Sequence, residues 1–334
     1  MGICFELNPI DTLFFKGSES LIAGQTVADS LFPPPVSVLK GALRTAYLKQ
    51  KNISFEDYKK SNVSKDVIDN IGYCGKEAPF NIKAVLFKKK NIYYLPIPLN
   101  WFLDISSEKK KNMFNKQTTV NFDNVKIIKT KNQTEILNTI GINTSHTDIP
   151  IVELMSNDED PTSLSGKWIS LEAFKTKIIN TNDIVAENEF ISIEYRTGIE
   201  LDLSKRKTKK GQLYSAGHIR FAPETKIVII LDKNININKQ DIITLGGEKR
   251  LVSYKEIQDS DIPDLSLQNS ENKEFVSFAP IELTQDNINN IVATYKPKIV
   301  SGWDMAKDFH KPTTTWLPAG TVFNKNINNQ CIAL

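Results

Sequence analysis

The chain holds three histidines, His146, His218 and His310, and proton transfer near neutral pH falls first to such groups. His218 stands in Tyr214-Ser215-Ala216-Gly217-His218-Ile219-Arg220. With Tyr214 and nearby lysines it could form an acid–base site; the plainer reading is a histidine on the face of a strand. His310 lies between Lys307 and Lys311 and could touch a phosphate or stack on a base. His146 sits in an Asn-, Lys- and Thr-rich stretch and reads as incidental. The three are scattered, so the expectation is no catalytic residue, no metal site and no cofactor.

Other chemistries lack their parts. Leu245-Gly246-Gly247-Glu248-Lys249-Arg250 has the outline of a polymerase palm turn. Two-metal chemistry needs clustered carboxylates, and here two cations follow Glu248. The turn therefore reads as structural or as facing a nucleic acid. Neither a Gly-x-x-x-x-Gly-Lys-Ser/Thr nor a Gly-x-Gly-x-x-Gly loop occurs, which leaves ATP and NAD sites unsupported.

Anion binding is better supplied. Pro33-Pro34-Pro35 cannot lie inside a helix or a central strand, but Pro35 or Ser37 can open a helix. Lys40 and Arg44 then fall on one face at i, i+4. Free amides at a helix start, with Ser37, Lys40 and Arg44 beside them and a glycine-bearing loop from Gly24 before them, predict a phosphate site. A second basic feature is Lys205-Arg206-Lys207-Thr208-Lys209-Lys210. Such a run is either a solvated hairpin tip or faces an anion. Tyr195, Arg196 and Tyr214 flank it, and cations with flat rings suit single-stranded RNA.

These residues need a scaffold. The chain has 334 residues, 40% of them hydrophobic, which allows about two domains with real cores. Net charge is only +3, too mild to prove nucleic-acid binding. Cys4, Cys74 and Cys331 are far apart and form no C-x-x-C, so neither disulfides nor zinc are expected, and a reducing cytoplasm fits. No signal peptide or membrane span is read; the longest apolar run, Ile227–Leu231, reads as a buried strand.

Strands are predicted over 3–7, 84–88, 92–97, 189–195, 212–221, 226–231, 275–281 and 298–300. Helices are predicted over 36–50, 54–71, 163–179 and 286–295. An aromatic loop, Leu13-Phe14-Phe15, could leave apolar surface for a partner. Residues 104–148 read as a long, partly mobile insertion. Mixed strands and helices in both halves give an α+β class.

Several segments together resemble a known family. They are the N-terminal Leu7-Asn8-Pro9-Ile10-Asp11-Thr12-Leu13-Phe14-Phe15-Lys16, Ser30–Pro35 with Lys40–Ala46, Leu245–Glu248, Gly302-Trp303-Asp304, and Leu317-Pro318-Ala319-Gly320-Thr321-Val322-Phe323. Their order and spacing resemble the third Cmr subunit, a RAMP-superfamily protein of type III-B CRISPR effector complexes. Glu194, Arg196, Gly198, Ile199, Leu213 and Tyr214 resemble a further segment of it. The resemblance implies two ferredoxin-like (RRM-like) units, placed here at 1–155 with the insertion, and at 156–334 with a basic hairpin near 204–211. It implies a non-catalytic RNA-binding subunit that holds the 5′ repeat-derived tag of the guide RNA. Its partners would be that RNA, the large palm-domain subunit and the backbone RAMP subunits, with no membrane. Gly320 would lie in a backbone-cradling loop beside RNA. The family's further glycine-rich segment after Pro-Ala-Gly is not seen before Leu334, so no RNA contact is expected from it. The alternatives are the tag-binding subunit of a type III-A complex, a metal-independent repeat-RNA endoribonuclease, and a scaffold that meets only proteins. The residues expected at RNA are Ser37, Lys40, Arg44, Arg196, Lys205, Arg206, Lys207, Lys209, Lys210, Tyr214, His218, Lys307, His310 and Lys311.

Overall fold

The computed structural model describes residues 2–17, 27–103, 119–121, 125–132, 150–154, 162–202, 207–267, 274–304 and 306–334. The fold is mixed, with several β-sheets and short helices. It forms two compact units, each assembled from three stretches. The first is Met1–Ile82, Phe190–Ile262 and Ile299–Thr314; the second is Lys83–Glu189, Pro263–Lys298 and Thr315–Leu334. A boundary at 155 therefore does not separate them. The reason is long-range strand pairing: Ile3–Pro9 at the N-terminus pairs antiparallel with Thr225–Leu231 and with Leu251–Glu256.

In the first unit these three strands and the edge strand Gln240–Thr244 run in the order 225–231, 3–9, 251–256, 240–244. Alternation assigns the faces. Phe5, Leu7, Ile227, Ile229, Ile243, Val252 and Tyr254 are buried on one face. Asn8, Gln240, Ile242 and Lys255 are exposed on the other. Helix α1, Val36–Gln50, buries Val36, Leu39, Leu43, Ala46 and Tyr47 at helical spacing. Each buried leucine there contributes roughly 2 kcal/mol. Gln50 ties the end of the helix to the sheet, donating to Asp241 at 2.8 Å and to the Tyr254 hydroxyl at 2.9 Å.

The predicted 54–71 helix is two helices, α2 (Phe55–Lys59) and α3 (Lys65–Ile71). Ser61, with φ of 58°, breaks the run in a left-handed conformation that no helix interior accepts. The long hairpin Ile191–Asp202 with Lys207–Phe221 completes the unit, and Val27–Asp29 lies parallel to its second strand.

The second unit carries the hairpin Ile82–Lys89 with Ile92–Pro96 on its turn, Lys90 and Asn91, both at positive φ. Phe87 meets Trp168 edge-on, and Trp101 stacks on Phe174. The 163–179 stretch is helical only over Leu171–Thr176; Lys167–Ser170 and Ile178–Asn180 are strands. The periodicity of Trp168, Leu171, Phe174 and Ile178 spans a strand–helix–strand unit, so it imitates one helix face. The 286–295 helix shrinks to Gln285–Ile288, followed by the strand Ile291–Ala293. The strand predicted over 275–281 is two short pieces, Phe275–Val276 and Ile281–Glu282. Inside and beside the expected insertion lie the strands Thr119–Asn121, Val125–Asn132 and Pro150–Leu154; the rest of 104–148, His146 included, is outside the described residues.

Gly320 also belongs to this unit, and its role is packing. It is buried, its φ is +94°, and a Cβ there would stand 2.4 Å from the Ile97 carbonyl oxygen. Its amide donates to Ser277 O at 2.7 Å and its carbonyl accepts from Leu99 N at 2.8 Å. The Pro-Ala-Gly segment is thus an internal knot, contrary to the expected loop beside RNA.

Among the described residues no helix is long and apolar enough to cross a membrane, and no group of three or more His, Cys, Asp or Glu is placed to hold a metal ion.

Candidate nucleic-acid interface

A cleft of about 730 Å³ opens within the first unit. Five sequence segments meet in it: Phe14–Lys16, the first half of α1, Ala216, Thr244 with the Gly246-Gly247-Glu248 turn, and Ser301–Gly302 with His310–Lys311. The aromatic loop is its structural centre. Phe15 N donates to Ser30 Oγ, Leu31 N to Phe15 O, and Ser30 Oγ to Gly217 O. Gly247 N donates to Phe14 O at 2.8 Å. Leu13, Phe14 and Phe15 are all buried. The expectation that this loop offers apolar surface to a partner is therefore corrected: its three side chains are core, and their backbone pins the cleft walls.

Helix α1 divides the expected phosphate site. Pro35 takes the N-cap position with no side-chain cap, and Ser37 lies one position inside the first turn. Ser37, Val38, Gly41, Ala42 and Thr45 line the cleft; Val38 N and Leu39 N donate to Pro35 O at 3.0 and 3.1 Å, so the amides of Val36 and Ser37 are the ones that precede the bonds of the helix. Lys40 and Arg44 are not on that wall. Lys40 Nζ donates to Asn81 Oδ1 at 3.2 Å and lies 3.8 Å from Glu77. Arg44 donates to the Tyr58 hydroxyl and to the carbonyls of Tyr73 and Lys76, and sits over the Tyr58 ring. Both cations brace α1 against the chain that follows it, whereas the expectation set them at phosphates. The i, i+4 spacing was right for a shared face, but that face meets protein.

Lys16 and Lys311 supply the positive side of the cleft, and His310 lines it beside them. Lys16 and Lys311 have no ion-pair partner among the described residues. Lys311 N donates to Gly302 O at 2.8 Å, closing the short hairpin Trp303–Asp304 with Phe309–His310. His310, Lys311 and Lys307 are exposed. Phe309, which the sequence reading passed over, is 66% exposed and meets the His310 ring edge-on at 5.9 Å. The Trp303 side chain is outside the description.

Beside the cleft lies a charge-balanced network of three arginines and three carboxylates. Glu194 accepts from Arg196 Nε at 3.0 Å and from Arg220 Nε at 2.6 Å. Asp11 accepts from Arg250 Nη1 at 3.0 Å and is within 4 Å of Arg196 and Arg220. Glu248 accepts from Arg250 Nη2 at 2.6 Å. The Thr12 backbone amide, with these guanidiniums, holds the Asp11 carboxyl below its ordinary range, and hydrogen bonds from Arg196 and Arg220 do the same for Glu194. Arg196 is thus neutralised by carboxylates, which weakens the expectation that it meets phosphate.

His218 is in the core. Its side chain is 1% exposed and stacks on Phe14 at 5.0 Å. Burial pushes its pKa down, with Glu248 opposing, and Nδ1 has no partner. It packs behind the cleft wall on Phe14 and is not among the residues that line the cleft, whereas the expectation set it at RNA. Sequence alternation could not tell which face of its strand was covered.

The second strand of the hairpin begins within the basic run. Lys207 is its first residue, paired with Asp202, and is exposed. Lys209, Lys210 and Tyr214 follow on the same strand with side chains outside the description. Lys205 and Arg206 are outside the described residues.

The family CRISPR-associated protein (Cas_Cmr3) matches residues 5–279. The CRISPR system CMR subunit Cmr3 of Saccharolobus solfataricus is 30% identical over 149 residues, 42% of this chain and 46% of that protein. The match thus spans under half the length of this relative. Two solved structures share the fold. A chain of the type III-B Cmr-beta complex bound to cognate target RNA and AMPPnP has a TM-score of 0.51 and 19% identity, covering 96% of this chain and 85% of its own. A chain of the same complex bound to cognate target RNA has a TM-score of 0.51 and 20% identity, covering 96% and 86%. The motifs, their order and the match over 5–279 place this chain in the Cas_Cmr3 family of CRISPR-associated proteins.

Proposed function

We propose that this chain is a non-catalytic RNA-binding subunit of a type III-B CRISPR ribonucleoprotein. In this reading it holds the 5′ repeat-derived tag of the guide RNA and docks to the large palm-domain subunit and the backbone RAMP subunits. The observation that carries it is the cleft of the first unit. There the start of α1, Lys16 and Lys311 offer donors and positive charge around a wall of small residues. A single strand needs this combination: cations for the backbone and room for unstacked bases. Ser37, Lys16, His310 and Lys311 are assigned to RNA inside the cleft, with Lys307 and Phe309 at its rim and the basic strand from Lys207 as a second contact. Each unit is assigned a ferredoxin-like plan, in keeping with the RAMP resemblance. The endoribonuclease reading finds little support, since His218 faces the core and does not line the cleft with His310.

Purification of the chain from its effector complex, followed by sequencing of the 5′ ends of bound RNA, tests the reading. A uniform repeat-derived 5′ end is expected. Random ends, or no RNA, would reject it. Pull-down with the large subunit tests the assembly, and failure to pair would remove that partner.

A further inference from the structure

The cleft contains one carboxylate among its described lining residues, Glu248, in a wall otherwise made of small, apolar and basic groups. A carboxylate repels phosphate. In a cleft that binds RNA, its oxygen not held by Arg250 suits a part of the nucleotide that donates hydrogen bonds. Glu248 is fixed for that task. It sits at φ of 56° and Lys249 at 52°, a pair of left-handed residues that a tight hairpin turn usually gives to Gly, Asn or Asp. Its Oε2 is held by Arg250 at 2.6 Å. Its Oε1 lies 3.7 Å from His218 Nε2, too far for a hydrogen bond. One oriented oxygen thus keeps its accepting capacity, and the side chain is about half exposed. Next to it, Gly246 and Gly247 line the same cleft.

We propose that Glu248 reads a nucleobase, selecting one with an exocyclic amino group (adenine, cytosine or guanine) against uracil. Uracil offers a single ring N–H flanked by two carbonyl oxygens, which a carboxylate repels. An amino group on the base edge donates directly, as cytosine N4 does to acidic side chains. The selection rests on the RNA-binding reading of the same cleft.

The test measures binding of the full chain to short labelled oligo-U, oligo-C and oligo-A at moderate salt, and to the deoxy form of oligo-C. Wild type is expected to bind oligo-C and oligo-A roughly tenfold more tightly than oligo-U, and to keep the base preference in the deoxy form. Glu248→Gln, whose amide can also donate to a carbonyl, is expected to lose most of that ratio by gaining affinity for oligo-U. A wild-type chain that binds all the RNAs equally overturns the proposal, even if the variant does not fold. So does a folded Glu248→Gln that keeps the ratio, or a discrimination that follows the 2′-hydroxyl instead of the base. Failure of wild type to bind any oligomer is a different result: it defeats the RNA-binding reading itself.

Discussion

Gly246 and His218 carry the cleft at the scale of single residues. Gly246 has φ of +80°, and a Cβ would meet Phe14 O at 2.5 Å. Gly246→Ala therefore combines left-handed strain with a backbone clash. It should cost roughly 2 kcal/mol or more, read as a lower urea midpoint. His218 gives a pH signature. Its folded pKa lies below 6.5 because burial disfavours the charged ring. The unfolded chain then binds more protons, so stability rises with pH. Its contribution is complete above about pH 6.5 and is lost as pH falls towards the folded value. His218→Gln should flatten that part of the pH–stability curve. A curve that keeps its slope would mean that His218 is not the titrating group. The sequence showed charged residues clearly and their partners poorly. Arg196 was legible as a cation beside Glu194, since i and i+2 share a strand face. Asp11, which also faces it, comes from a remote segment, and only tertiary pairing brings it there.

At the scale of elements, α1 was readable nearly to the residue. A proline elbow starts it, and apolar spacing gives its buried face. Which partner its polar faces meet was not readable. Arg44→Ala removes a brace to Tyr58, Tyr73 and Lys76. It is expected to lower stability by roughly 1–3 kcal/mol and to leave the affinity of the folded protein for RNA unchanged; a weaker affinity would return Arg44 to the interface. The hairpin of 191–202 and 207–221 makes the opposite prediction. Lys207 is exposed on its strand, so Lys207→Glu should reduce guide-RNA retention with little change in Tm. Unaltered retention would leave the strand solvated and without that role. The Gln240–Thr244 and Leu251–Glu256 strands were missed around a turn that was seen, because Lys, Glu, Asp and Gln interrupt their apolar alternation.

At the scale of the whole molecule, sequence motifs identified the family, while the architecture needed the structure. Each unit draws on three distant stretches, and linear composition carries no mark of such interleaving. The motifs divide by role. Phe14-Phe15 and the Gly-Gly turn build the cleft, whereas Pro-Ala-Gly secures the other unit. The central claim is that the cleft of the first unit grips the RNA backbone through Lys16 and Lys311. Salt dependence of single-stranded RNA binding tests it most directly, comparing wild type with Lys16→Ala/Lys311→Ala. Binding by wild type should weaken steeply with salt. The slope of log K against log salt should be shallower by about 1.4 in the folded double variant, for two lost phosphate contacts. An unchanged slope, or a wild-type chain whose binding ignores salt, would contradict the account.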